Sequence, residues 1–571
     1  FRTILRAVRW DPHRLNRVAL LPTSWRRRLP ALRGLNLSES SKPAATYRAL
    51  KPRGTLASAI AIGLLFTAYF VGLALKNTVD GVNSDGIVYL FLAQHLGFGA
   101  PIPEHLAAHL LEQFPFPPLF SVLLGLCGGG IDSPSTSFVV GSVFLGSAAA
   151  IFFALLRAEG ATLAGAFFLT ALWSAIPSTV FVAFGVFSET LYLALCLAVF
   201  FALRLTDIST SAWLGAAILV ALATLTRSAG MVLLVSYLLV LWRGAPRPSL
   251  AWQASAVALL PIVGWNIFKS LNGWSAGYAS IFLDGAVQWF ESPLVLVQRL
   301  SDNLGAITYH THRSFDFLSS DYSAIAVVFL LLPAMITLRR RLRHWRIDAL
   351  YLVGSLALLL VWPFPNDMQR FLFPLLPIFV AYAFDGFGSL VPKISSGVRQ
   401  GVYLLIALVA VCAIAPSTVS VLSQIKRYAN TPHQDWVRTS AWYRYLNPNE
   451  AIAAFSYEQQ IHAAVKAVLE GSPDTACIST TYPAVIYVQG RRASLPPPLP
   501  SQGKARLIAH FEACPWVLGI DAVPLPPMGY ANYYPLTHGG DLLRVVRTAP
   551  RPGPADPGSR PLAILARYGR E

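Results

Sequence analysis

Four ionisable residues in this sequence stand where charge is costly. Asp85 comes just after the first long apolar run, in Asn83-Ser84-Asp85-Gly86. Glu189 opens another run in Phe187-Ser188-Glu189-Thr190, Arg227 lies between two runs in Leu225-Thr226-Arg227-Ser228, and Arg370 opens a third in Met368-Gln369-Arg370-Phe371. Insertion scales make a charge near the centre of a membrane helix unfavourable by about 2.5–3.5 kcal/mol, so such residues are expected to pair or to work. A carboxylate can take a proton from a hydroxyl. A guanidinium fork matches the oxygens of a phosphate. Two acids and two bases at one depth therefore point to an outward-facing polar cavity, with Asp85 as base, Arg370 or Arg227 on a phosphate, and Glu189 as a further acid. The alternative is that each charge snorkels from a helix end to the interface.

Two histidine sets are further candidates. His105, His109 and Glu112 fall on one face of a helix, and the spacing of four between the histidines permits metal binding. An interfacial helix with a polar face has the same pattern. His310 and His312, in Tyr309-His310-Thr311-His312-Arg313, could line an acceptor groove or belong to an ordinary loop. There is no CxxC pair or Cys/His cluster of the kind that holds zinc. Nor is there an Asp-x-Asp, a P-loop or a G-x-G-x-x-G, so a soluble nucleotide-sugar chemistry has no motif to rest on.

The elements that must position these residues are membrane helices. Over 571 residues, hydrophobic types make up 54% and charged types 13%, and the mean hydropathy is +0.52. A soluble domain carries about twice that charged fraction. Apolar runs of spanning length begin with Leu56–Leu75. They continue as Phe138–Leu156, Leu163–Ala183, Leu191–Leu205, Ala212–Leu225, Gly230–Trp242, Ala251–Phe268, Ala324–Leu338, Ala349–Trp362, Phe371–Phe384 and Val402–Ala415, with a shorter run at Leu119–Leu126. An inside start and an outside end need an odd number of crossings, which gives eleven to thirteen.

The net charge of +17 reflects basic residues in the N-terminal arm and the inter-helix loops, the pattern that fixes membrane orientation, and nucleic acid is not an expected partner. Residues 1–54 are Arg-rich with Asp11 and Glu39 as their acids. They read as a cytoplasmic basic arm on anionic lipid, although organellar transit peptides have a similar composition. The run Arg339–Arg346 (RRRLRHWR) marks the inner side. Counting from it, loops 76–118 and 269–322 and the region 421–571 are expected outside, leaving 55–420 as the membrane domain. The C-terminal region reads as a small α/β domain. A helix is expected at Trp436–Tyr445, strands at Thr475–Thr480, Ala484–Gln489 and Leu542–Arg547, and a disulfide is open to Cys477 and Cys514 in an oxidising compartment.

The order of these segments resembles the GT-C superfamily of polyprenyl-phosphate-sugar-dependent glycosyltransferases, which includes protein O-mannosyltransferases and lipid A aminoarabinose transferases. Ser84-Asp85-Gly86-Ile87-Val88-Tyr89-Leu90 is similar to that family's first-loop Asp motif, and Pro117-Pro118-Leu119 to its entry to helix two. Ser188-Glu189, Thr226-Arg227 before Gly230, and Arg370-Phe371 before Pro374 and Pro377 are also similar. The resemblance covers about Leu56 to Arg492. It implies an all-α polytopic GT-C-like domain with an external C-terminal α/β domain. It also implies an enzyme of a bacterial inner membrane that moves a hexosyl or pentosyl unit from a polyprenyl-phosphate donor to a protein, lipid or polysaccharide acceptor. Many members carry a second acid beside the first-loop Asp; Gly86 stands there in this chain, which leaves use of a divalent cation open. A transporter or flippase is the second reading, but repeated halves with broken midplane helices are not visible. A non-catalytic scaffold for envelope assembly is the third, and it would tolerate loss of Asp85.

Overall fold

Apolar, helix-favouring runs that alternate with Pro, Gly and charge dictate a bundle, and the computed structural model shows one. It describes residues 52–75, 84–96, 116–183, 185–205, 210–272, 292–315, 320–362, 368–390, 463–480, 494–495, 504–520, 540–550 and 561–569, with a few single positions besides. The bundle helices are α1 (Pro52–Ala74), α2 (Ser84–Leu96), α3 (Leu119–Leu126), α4 (Pro134–Ala158), α5 (Leu163–Ala175), α6 (Pro177–Ala183), α7 (Glu189–Arg204) and α8 (Ser211–Thr224). They continue with α9 (Gly230–Gly244), α10 (Pro248–Leu271), α11 (Pro293–Phe315), α12 (Ser320–Arg343), α13 (Ile347–Leu360), α14 (Met368–Leu372) and α15 (Leu376–Leu390).

The protein is an integral membrane protein. Among the described residues, four stretches are long and apolar enough to cross a bilayer: Thr55–Ala74, Pro134–Ala158, Pro248–Leu271 and Met368–Ser389. Four shorter apolar helices accompany them. Leu64, Trp252, Leu260 and Leu332 are well exposed on the bundle surface, which is where lipid tails would meet them. Inside, aromatic side chains such as Trp173, Tyr237, Phe152 and Phe373 are fully buried. Close helix approach uses glycine, as expected where packing rather than water drives association. A Cβ at Gly146 would run into Thr67, and one at Gly386 into the Pro333 carbonyl.

Several segment boundaries differ from those expected. The Leu163–Ala183 run is two helices, because Pro177 lacks the N–H that would continue the ladder. Phe371–Phe384 is likewise interrupted by a 3₁₀ turn, Phe373–Leu375, at Pro374. The expected loop 76–118 contains α2, whose Val88–Gln94 are buried; its apolar stretch is too short to span but long enough to pack. The expected loop 269–322 contains α11, in which polar Asn303, His310 and Ser314 are buried and Leu294, Val297 and Leu304 are exposed. Val402–Ala415, Trp436–Tyr445 and Ala484–Gln489 lie outside the described residues.

Beyond the bundle, five strands among the described residues form one sheet: β1 (Ile478–Ser479), β2 (Ser494–Leu495), β3 (Trp516–Ile520), β4 (Leu543–Ala549) and β5 (Ala563–Tyr568). Their order is β2-β1-β3-β5-β4. The β1 strand runs parallel to β2 and β3, and β5 antiparallel to β3 and β4. Helix α16 (Lys504–Ala513) precedes β3. Val465, Val468, Ile478, Leu518 and Leu565 make a separate core. Cys477 and Cys514 are bonded, with Cα atoms 4.9 Å apart, tying the start of β1 to the end of α16. A second link is the 2.9 Å hydrogen bond between Ser479 Oγ and His510 Nε2. Burial lowers the pKa of the His510 imidazole, which favours its neutral form.

Arg341 does more than mark a membrane side. It meets Glu159 at 2.8 Å and Asp348 at 2.7 Å, and its guanidinium lies 5.0 Å over the Tyr382 ring. Arg204 also pairs with Glu159, and Arg340 with Asp385. Five helix ends (α4, α7, α12, α13 and α15) meet at this one network.

Candidate active site

Asp85, Glu189, Arg227 and Arg370 come together. Asp85 and Glu189 each sit in the first turn of a helix, α2 and α7, where the N-terminal dipole favours negative charge. Arg227 stands in the turn between α8 and α9, and Arg370 on the short helix α14. Glu189 Oε2 takes Arg227 Nη1 at 2.6 Å, and Glu189 Oε1 takes Arg370 Nε at 2.8 Å. Arg370 Nη1 then reaches Asp85 Oδ2 at 2.8 Å. The result is a linear chain of alternating charge: Arg227, Glu189, Arg370, Asp85. Side-chain exposure rises from 0% at Glu189 through 10% at Arg227 and 15% at Arg370 to 28% at Asp85. The chain therefore has a closed, buried interior and one open end, and the open end is Asp85.

Neighbouring polar and aromatic groups hold this geometry. Tyr89, one turn after Asp85 on the same helix, lies 2.9 Å from Ser188 Oγ. Arg227 Nη1 donates to that same Ser188 oxygen at 2.9 Å. The Arg227 guanidinium lies over Phe371 at 5.2 Å, and that of Arg370 over Phe187 at 5.1 Å. Each arginine thus stacks on an aromatic ring within two residues of one of the charged residues, an arrangement that favours guanidinium over ammonium.

Backbone devices set the turns. Pro117 and Pro118 have no N–H, so Leu119 offers the first donor of α3; it bonds the Leu225 carbonyl at 2.9 Å and fixes the turn that presents Arg227. Gly230 closes that turn, since a Cβ there would strike the Thr224 backbone. On the Arg370 side, Gln369 donates to Ser178 Oγ at 2.7 Å, anchoring α14 to α6. Asn303 Nδ2 donates to the carbonyls of Leu359, Leu360 and Trp362 at 3.2, 2.9 and 2.8 Å. It caps the last turn of α13, whose carbonyls have no partner within the helix.

The other sequence candidates fare differently. His310 is buried on α11, a helix rather than a loop, and its ring meets Tyr309 edge-on at 5.2 Å. The side chain of His312 and the residues His105, His109, Glu112 and Asp367 lie outside those described. Among the described residues, no three His, Cys, Asp or Glu side chains gather as metal ligands.

Comparison with known proteins gives distant likenesses in structure. One is an archaeal oligosaccharyltransferase, AglB from Archaeoglobus fulgidus, in complex with an inhibitory peptide and a dolichol-phosphate. It is 13% identical over 81% of this chain and 69% of its own, with a TM-score of 0.43. Another is ArnT from Cupriavidus metallidurans bound to undecaprenyl phosphate. It is 12% identical over 91% of this chain and 99% of its own, with a TM-score of 0.49. Both are GT-C membrane glycosyltransferases. This chain is similar to them. At such identities and scores the likeness says nothing about substrate or mechanism. No protein-family model matches the sequence, and no curated protein does.

Tyr89, Ser188 and Gln369 entered the sequence reading only as neighbours of charged residues, with no role, and Ser178 and Asn303 were not singled out. One signal was present for Tyr89, which lies four residues after Asp85 and so on the same helical face. Ser178 and Asn303 carried none, since neither residue type is unusual where it stands.

Proposed function

We propose that this chain is a membrane glycosyltransferase that moves a sugar from a polyprenyl phosphate to an acceptor hydroxyl on the outer face of the membrane. The observation that carries the reading is the chain of alternating charge with Asp85 at its open end. In the reaction, the acceptor oxygen attacks the anomeric carbon, and the bond from that carbon to the phosphate oxygen breaks. The electron pair stays on the phosphate, whose developing charge Arg370 and Arg227 stabilise. The acceptor proton passes to Asp85. One displacement of this kind inverts the anomeric centre. Glu189 holds both guanidiniums in place.

The test is substitution at Arg370 in the full-length protein. Arg370→Lys keeps the charge but loses the fork, so binding of polyprenyl phosphate should weaken, and Arg370→Ala should weaken it more. Asp367→Ala should matter little. Equal loss of folded yield in Arg370→Ala and Asp367→Ala, with normal binding by the surviving protein, would make Arg370 structural and move the phosphate to Arg227. Donor flipping in proteoliposomes without sugar transfer would favour a flippase.

Orientation is part of the proposal. Glu189 and Arg204 begin and end one 16-residue helix, so the site and the Arg341 network lie about 22 Å apart along its axis. With Arg339–Arg346 inside, the site faces out. Residues 421–571 are then external, the natural side for the Cys477–Cys514 bond, and the membrane is a bacterial inner membrane. Protease applied to cells with a permeabilised outer envelope should remove that region. Cleavage only after the inner membrane is broken would reverse the orientation.

A further inference from the structure

Asp85 and Glu189 both answer Arg370, but on unequal terms. Glu189 is wholly buried and divides its two oxygens between Arg370 and Arg227. Among the described contacts Asp85 engages Arg370 through Oδ2, and 28% of its side chain is exposed. Severing a fully buried ion pair strands a charge and is strongly unfavourable. Parting a pair that water already reaches costs little. Of the two acids on Arg370, one is fixed and the other is exchangeable.

We propose that Asp85 is the resting counter-anion of Arg370, and that the phosphate of the lipid-linked substrate displaces it. The inference rests on the assignment of Arg370 to the phosphate. No covalent bond changes in the exchange: an N–H···O contact to a carboxylate is replaced by one to a phosphate oxygen. Tyr89 stays bonded to Ser188 one turn away, so the helix keeps its place while the Asp85 side chain swings. The carboxylate is then released to act as a base only when a donor is bound, and an empty site holds it quiet. The same exchange runs backwards after transfer. Asp85 carries the acceptor's proton, loses it to water, and as a carboxylate again competes for Arg370 against the departing polyprenyl phosphate.

Binding measurements on the full-length protein in lipid nanodiscs decide this, with three probes: a polyprenyl phosphate, the corresponding polyprenol, and inorganic phosphate. Asp85→Asn removes the internal competitor and should tighten polyprenyl phosphate binding by about twofold to fivefold, with polyprenol unchanged. Asp85→Ser, which is smaller and neutral, should do the same and serves if the first variant folds poorly. In an Arg370→Ala background the gain should vanish. Equal or weaker binding by both Asp85 variants, with binding still dependent on Arg370, overturns the exchange and leaves the functional reading standing. Wild type and Arg370→Ala binding polyprenyl phosphate alike overturns the exchange together with the assignment of Arg370 to the phosphate, and leaves Arg227 as the phosphate ligand. Inorganic phosphate that binds as well as the lipid phosphate would show the exchanged anion to be free phosphate, against a lipid-linked substrate.

Discussion

Asp85→Asn is expected to lower sugar transfer by at least about a hundredfold while the protein still inserts and folds. The substitution keeps the shape of the side chain and removes its basicity. It also removes the ion pair to Arg370, so the two effects must be separated. A hundredfold is about 2.7 kcal/mol of activation free energy. A partly exposed ion pair contributes about 0–1 kcal/mol, too little to supply it through stability. Turnover and folded yield, measured on the same preparations, should therefore part company. Near-normal transfer by Asp85→Asn would take Asp85 out of the chemistry.

Glu189→Gln is expected to fail in the opposite way, by loss of the folded protein. Glu189 is wholly buried, and its carboxylate neutralises Arg227 and Arg370 at once. Removing one partner of a buried pair costs about 3–5 kcal/mol, because a charge remains without its counter-ion. That is a large share of the stability of most domains. Thermal unfolding in detergent should show a marked drop in midpoint. Adding Arg227→Gln to Glu189→Gln should recover part of it, since the two residues share one interaction. If Glu189→Gln unfolds like the wild type and only turnover is lost, Glu189 acts on substrate and is not a structural counter-ion.

Much of the helix layout could be read from hydropathy, since lipid demands long apolar runs and helices satisfy their own backbone. The runs that misled did so for a local reason. Hydropathy passes smoothly through Ile176-Pro177 and Leu372-Phe373-Pro374, whereas the backbone cannot. Helix α2 was missed because its apolar stretch is shorter than a bilayer, and a packed helix of that length looks like a loop to any spanning-length criterion. At the site, charge at membrane depth was enough to pick out Asp85, Glu189, Arg227 and Arg370 as residues in need of an explanation. Their linkage was not visible, because it depends on which side of three separate helices faces inward and on the turn that presents Arg227. Polar residues such as Ser178 and Asn303 are common in helices and gave no hint of their anchoring and capping roles. In the C-terminal region β3 and β5 escaped notice, since a strand of five or six residues with no tight hairpin turn beside it leaves a weak pattern.

Helix α7 carries an ion pair at each extremity. At its start Glu189 is bound to Arg227 and Arg370; at its finish Arg204 is bound to Glu159, which also holds Arg341. It is a strut bolted at both ends. A machine that opens alternately to the two sides must tilt its halves about the midplane, and that motion would pull on one bolt or the other. A bundle fastened in this way favours movement of side chains and surface segments over rocking of whole halves.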